Sequence, residues 1–181
     1  MDTARRRPRI HLAELWGVLG FTAILAQAIV RLTPLALEPI RAGGMAAWHG
    51  ALYALSIAFN AYSEGYRAFQ CKVAPRVVAR ALHLGERGRP LHVLLAPLFV
   101  TGLFHATRRR MITTWVFYAA LIAVIVLVRQ VPQPWRGMID AGVVVGLLWG
   151  VLAILWVYAR ALAGHPPAAS AELPEEDQRR R

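Results

Sequence analysis

Five apolar runs alternate with short polar breaks along the chain. Leu15 to Val30 lies between Glu14 and Arg31, and Ala42 to Ser63 is uncharged throughout. Leu91 to Thr107 contains Pro97 and Gly102, while Met111 to Val128 and Ala141 to Ala159 are free of charge. A spanning helix needs about 20 apolar residues to cross a hydrocarbon core of about 30 Å. The second, fourth and fifth runs meet that need. The first meets it if its flanks snorkel or the bilayer thins. The pattern predicts an all-α, polytopic integral membrane helix bundle. The first run also resembles the core of a cleavable signal peptide, with Ala26-Gln27-Ala28 as the processing sequence, although Glu14 directly before it is unusual for one.

The second run carries a polar stripe. His49, Tyr53, Ser56, Asn60, Glu64 and Arg67 follow one another at steps of four, three, four, four and three. At about 100° per residue these six share one face of a helix. In lipid such a face must turn toward protein or water. Helix is expected to continue through Phe69 and to break or restart at Pro75. Around residues 76–84 the pattern becomes amphipathic, with Arg76, Arg80 and His83 on one side and Val77, Val78, Ala81 and Leu82 mostly on the other. This predicts an interfacial helix with its arginines toward lipid headgroups.

The breaks read as loops. Pro34, Pro39 and Gly43-Gly44 predict a short outer loop from Leu32 to Gly44. Gly85 to Pro90 is a turn. Arg129 to Asp140 is a loop, from which Asp140 is placed to cap the fifth helix. On that helix Gly142, Gly146 and Gly150 recur at intervals of four, the spacing that permits close helix approach. The organisation that follows is a basic cytoplasmic N-terminus over residues 1–10, a membrane bundle over 11–164, and a disordered polar tail over 165–181.

Composition changes the picture in two ways. The chain is 57% hydrophobic yet has a net charge of +11 over 181 residues. Its arginines flank the apolar runs, so anionic membrane lipids, and not nucleic acid, are the expected partner. Twenty arginines against one lysine suggest a GC-rich bacterial genome, hence a bacterial inner membrane. A single cysteine, Cys71, excludes an internal disulfide and a cysteine-rich metal site.

Counting basic residues discriminates the threadings. With the N-terminus cytoplasmic and all five runs spanning, 12 fall inside and 9 outside. If the third run enters and returns on one side, the division becomes 17 to 4. The positive-inside rule prefers four spans plus a re-entrant or half-inserted third segment, with five spans as the alternative.

The ligand-binding residues this pattern nominates are His49, Tyr53, Asn60, Glu64 and Arg67 on the stripe, together with His105 beside the triple arginine. Histidine can titrate and carboxylates can relay protons, so the stripe suits an ion or proton path. It equally suits interhelical hydrogen bonding at about 0.6 kcal/mol per contact. A bis-histidine haem would draw on His49, His92 and His105, but the expected depths of these three differ, and no cofactor or metal is assigned. Basic groups at the inner surface could clamp a phosphate-bearing lipid head. No nucleotide-binding, zinc or kinase motif is present. The sequence therefore points to a small membrane protein acting as an accessory or binding subunit, with a possible protein partner. A lipid-binding or lipid-modifying enzyme at the cytoplasmic face is the alternative, and a small-solute or proton conductor is the third reading.

Overall fold

The computed structural model describes residues 11–43, 45–87 and 89–174. The basic N-terminus over 1–10 and the last residues from 175 lie outside this range. The described chain is all-helical. Helix α1 is Leu12–Ala42, α2 is Ala47–Asn60, and a π-helical segment, Ala61–Val73, leads without a break into α3, Ala74–Arg87. Two short helices follow, α4 (Pro90–Leu94) and α5 (Ala96–Thr101), then α6 (Arg108–Val128) and α7 (Trp135–Leu162). Three of these helices, α1, α6 and α7, are long and apolar enough to cross a membrane.

The expected loop over Leu32 to Gly44 is mostly helix, because α1 runs through Pro34 and Pro39 to Ala42. Proline removes an N–H and so orphans the carbonyl four residues earlier. For Pro39 that carbonyl belongs to Leu35, and Gln133 Nε2 donates to it at 3.3 Å. With this substitute donor the helix need not end at Pro39.

At Pro75 the second helix does not break but restarts as α3. The proline occupies the second position of α3, where the backbone leaves i→i−5 bonding: the Ala74 N–H still reaches back to the Phe69 carbonyl. A proline fits there because the first turn of the renewed α-helix needs no N–H from it.

Helix α7 packs against α1, α2, the π segment and α3. Tyr53 and Pro39 meet Gly137, Ser56 and Asn60 meet Gly142, Glu64 meets Gly146, and Phe69 meets Gly150. Position numbers rise together on both partners, so α2 with its π extension and α7 run in the same direction. Helix α1 runs the opposite way, with Pro39 against Gly137 at one end and Glu14 within electrostatic reach of Tyr158 at the other.

The third apolar run forms no single helix. α4 and α5 meet at Leu95, and Gly102 then reverses the chain in the left-handed region, φ 83°. The pair lies along the start of α1: Trp16 Nε1 donates to the Leu94 carbonyl at 3.4 Å, Ala96 and Val100 face Gly17, and Pro97 sits on Gly20. Gly20 is eight residues into α1, so the segment reaches about 12 Å along that helix at 1.5 Å per residue before it turns.

The main apolar core gathers at this end. It joins Val18, Phe21 and Leu25 of α1, Val77, Val78, Ala81 and Leu84 of α3, Phe99 and Val100 of α5, and Ile154 of α7. The tail, expected to be disordered from 165, contributes to it as well: Ala171 and Leu173 are buried there. Helix α6 is the opposite case. Only 6% of its most apolar stretch is buried.

Candidate functional site

The polar stripe and the glycine ladder are two halves of one seam. A Cβ at Gly142 would collide with Asn60 Nδ2 and lie 2.7 Å from Ser56 Oγ; one at Gly146 would lie 2.7 Å from Glu64 Oε2. Only bare backbone admits the stripe at this distance. The stripe's hydrogen bonds stay within the bundle. Tyr53 OH donates to the Ala36 carbonyl at 3.1 Å, Ser56 Oγ to the Met138 carbonyl at 2.8 Å, and Asn60 Nδ2 to the Ser56 carbonyl at 2.9 Å.

The six nominated residues do not form one site. Tyr53, Asn60 and Glu64 line the seam. His49 stands at the start of α2, where its Nδ1 accepts the Ala46 N–H at 3.1 Å and its ring meets Trp48 and Trp135. Arg67 is exposed, and Phe69 takes the next place on α7, against Gly150. The π segment explains this. Bonding from i to i+5 widens each turn, so a stripe extrapolated at the α-helical period leaves the seam after Glu64. His105 belongs to a different cluster, its ring 4.4 Å from that of His92. Rings this close leave no gap for an iron and its porphyrin plane between them.

A carboxylate of the fifth run also moves. Asp140 does not cap α7, because that helix begins at Trp135, and Gln133 Oε1 accepts the Gly137 N–H at 3.0 Å instead. Asp140 is 4% exposed, one turn inside. Its Oδ2 is 3.6 Å from Arg136 Nε, an ion pair too long to be a hydrogen bond. Buried or half-buried carboxylates thus stand at three levels of the bundle: Asp140 near the start of α7, Glu64 at Gly146, and Glu14 against Gly85.

The densest polar node is one the sequence pattern misplaced. Arg80, expected among headgroups, is 2% exposed. Its guanidinium donates to the carbonyls of Phe99 (2.7 Å), Ala171 (2.7 Å), Phe104 (3.1 Å) and His105 (3.1 Å), and lies 4.3 Å over the Phe99 ring. One side chain thereby ties α3 to α5, to the loop after Gly102, and to the tail. Burial pushes its pKa down to about 10, aided by repulsion from Arg110 and opposed by Glu172, so it remains charged at neutral pH.

Beside it, the Thr107 N–H donates to the Glu172 carbonyl at 2.9 Å. The Glu172 side chain lies 3.9 Å from Arg76 Nε and 3.3 Å from Arg110 Nε. Both Glu172 and His105 adopt positive φ, 50° and 49°, which costs a non-glycine residue on the order of 1 kcal/mol. A cavity of about 400 Å³ separates α3 from the tail and is lined by His83, Glu86, Pro167 and Ser170 among others. The arginine at the fourth position after Arg76 was the one sequence signal for this node, and it reads equally well as a headgroup contact.

No group of three or more metal-ligating side chains occurs among the described residues. Compared with known protein families, curated proteins and solved structures, the chain matches none. The functional reading therefore rests on the geometry alone.

Proposed function

We propose that the protein is a non-catalytic integral membrane subunit of a bacterial inner membrane. The observation that carries this reading is the contrast between the seam and α6. Asn60, Ser56, Tyr53 and Glu64 are taken up in packing against α7 and α1, which leaves little of the stripe for substrate chemistry. Helix α6 packs on no long helix of its own chain to any extent comparable with the others, and its exposed side chains include Trp115, Phe117, Ile122 and Val124. An apolar helix that adds little to its own bundle suits a chain that joins another in the membrane.

The threading proposed with it has four spans, a cytoplasmic N-terminus, and a third segment that enters and returns on the cytoplasmic side. The shared direction of α2 and α7 supports this, because five alternating spans would make them antiparallel. The shallow, broken third segment and the 17 to 4 division of basic residues support it as well.

The test is a photo-crosslinking residue at Val124 in the intact membrane, with native mass spectrometry of the extracted protein. A single polypeptide adduct at fixed stoichiometry is expected. Lipid adducts alone, with the chain released as a monomer, would overturn the accessory reading.

A further inference from the structure

One polar surface of the bundle faces outward at the depth of the hydrocarbon core. Tyr62, Tyr66, Arg67, Gln70 and Lys72 of the π segment are all exposed. The packing of the segment fixes their depth. Glu64 meets Gly146 of α7 and Phe69 meets Gly150, so Arg67 stands between the levels of those two glycines. Both glycines lie inside the charge-free run from Ala141 to Ala159. At 1.5 Å per residue, Arg67 is then roughly 12 Å from the level of Asp140 and roughly 18 Å from that of Arg160. Leu148 and Leu152 of α7 are exposed at the same depth, so acyl chains reach the bundle there. An arginine stem of about 6 Å snorkels only part of either distance. Lys72, five residues nearer to Arg76, has the shorter way to the inner surface.

The described chain does not answer this charge. Among the described residues Arg67 makes no ion pair and no side-chain hydrogen bond. Glu64, three residues earlier, turns its carboxylate toward Gly146. Tyr62 and Tyr66 stack on each other, ring centroids 6.1 Å apart. Gln70 Oε1 accepts from Trp149 Nε1 at 2.8 Å, which leaves the Gln70 amide hydrogens uncommitted. A second copy of the chain fits the face poorly. Its Glu14 and Asp140 are buried and its Glu64 is packed in the seam, while the exposed Glu38 and Glu86 stand at opposite ends of the bundle. A two-fold contact through this face would set Arg67 against Arg67.

We propose that this face receives a transmembrane helix of a different protein, one that carries an aspartate or glutamate at the depth of Arg67. An intramembrane guanidinium facing lipid is costly, and pairing with a carboxylate removes that cost. A carboxylate has more lone pairs than one arginine fills, and the donors of Tyr66 and Gln70 on the same face can take the remainder. The inference rests on the subunit reading and adds a second face and the chemistry of the partner. Residues of α6 test that reading and residues of the π segment test this one, so the two fail separately.

The test places a photo-crosslinking residue at Tyr66 of the full chain in the intact membrane and identifies the adduct peptide by mass spectrometry. The expected adduct is a peptide of one other protein, from an apolar stretch of about 20 residues that contains Asp or Glu. Arg67→Leu is expected to lower the adduct yield at least about tenfold. Arg67→Glu is expected to do the same, and replacing the partner's carboxylate by arginine to restore the yield. Purified Arg67→Leu is expected to unfold in dodecyl sulfate no earlier than the wild type, which separates loss of the partner from loss of the fold. Earlier unfolding would mean that Arg67 serves its own bundle, and overturns the proposal. Adducts to lipid alone, or to this chain itself, overturn it too, as does an adduct peptide without a carboxylate or a yield that Arg67→Leu leaves unchanged. Arg67→Cys in a Cys71→Ser background, if labelled by an impermeant maleimide in the intact membrane, would reveal a water-filled groove and likewise overturn it. A polypeptide adduct from Val124 with none from Tyr66 overturns this face and leaves the subunit reading standing.

Discussion

Gly142→Ala tests the seam directly, because two effects of known size oppose each other there. In a helix interior, alanine is more favourable than glycine by about 1 kcal/mol. At Gly142 the new methyl would meet Asn60 Nδ2, with Ser56 Oγ at 2.7 Å and Asn60 Cγ at 2.9 Å. All three are closer than the ordinary contact distance of about 3.5–4.0 Å. Overpacking of this kind costs roughly 1–3 kcal/mol. The clash outweighs the propensity gain, so a net loss of about 1 kcal/mol is expected. Gly50→Ala is the control. Nothing lies within 4 Å of a Cβ at Gly50, so there the propensity gain stands alone and the protein becomes more stable. Unfolding by dodecyl sulfate in mixed micelles, followed by tryptophan fluorescence, measures both. Asn60→Ala then separates steric from other causes: in that background Gly142→Ala should cost less, with a coupling of at least about 0.5 kcal/mol. If Gly142→Ala stabilises as Gly50→Ala does, or if Asn60→Ala gives no relief, the stripe does not rest on the glycines and the seam is wrongly drawn.

Three further outcomes are expected. Arg80→Lys should destabilise by roughly 3 kcal/mol, since an ammonium cannot serve carbonyls on three segments at once and stranded carbonyls are costly; faster tryptic cleavage at Arg108 to Arg110 would accompany the loss and is read by gel. In a Cys71→Ser background, cysteines introduced at Arg109 and Gly164 should be labelled by an impermeant maleimide from the same side, and one at Gln130 from the other; labelling of Arg109 and Gly164 from opposite sides would sink the four-span threading. Wild-type protein, Glu64→Gln and Asn60→Leu should all leave ion flux across proteoliposomes at the level of empty vesicles, because the seam is packed against Gly142 and Gly146; a wild-type flux that either variant abolishes would restore the conductor reading.

The sequence by itself determined what local repetition can carry. The apolar runs gave the membrane class. A stripe at helical spacing and glycines at intervals of four are properties of single helices, and they named the two surfaces that meet, without saying that they meet each other. The proline and glycine of the third run likewise marked a segment that forms no single helix. What only the tertiary structure decided depends on atoms far away in the chain. Helix α1 continues past Pro39 because Gln133, 98 residues beyond Leu35, supplies a donor. Arg67 leaves the seam because the backbone widens into a π segment, which no side-chain period announces. Arg80 is buried, and Ala171 held against the bundle, because carbonyls from three separate segments converge on one guanidinium. A charge in an amphipathic helix is written in the sequence; whether it meets a headgroup or the protein's own backbone depends on which segments arrive to cover it.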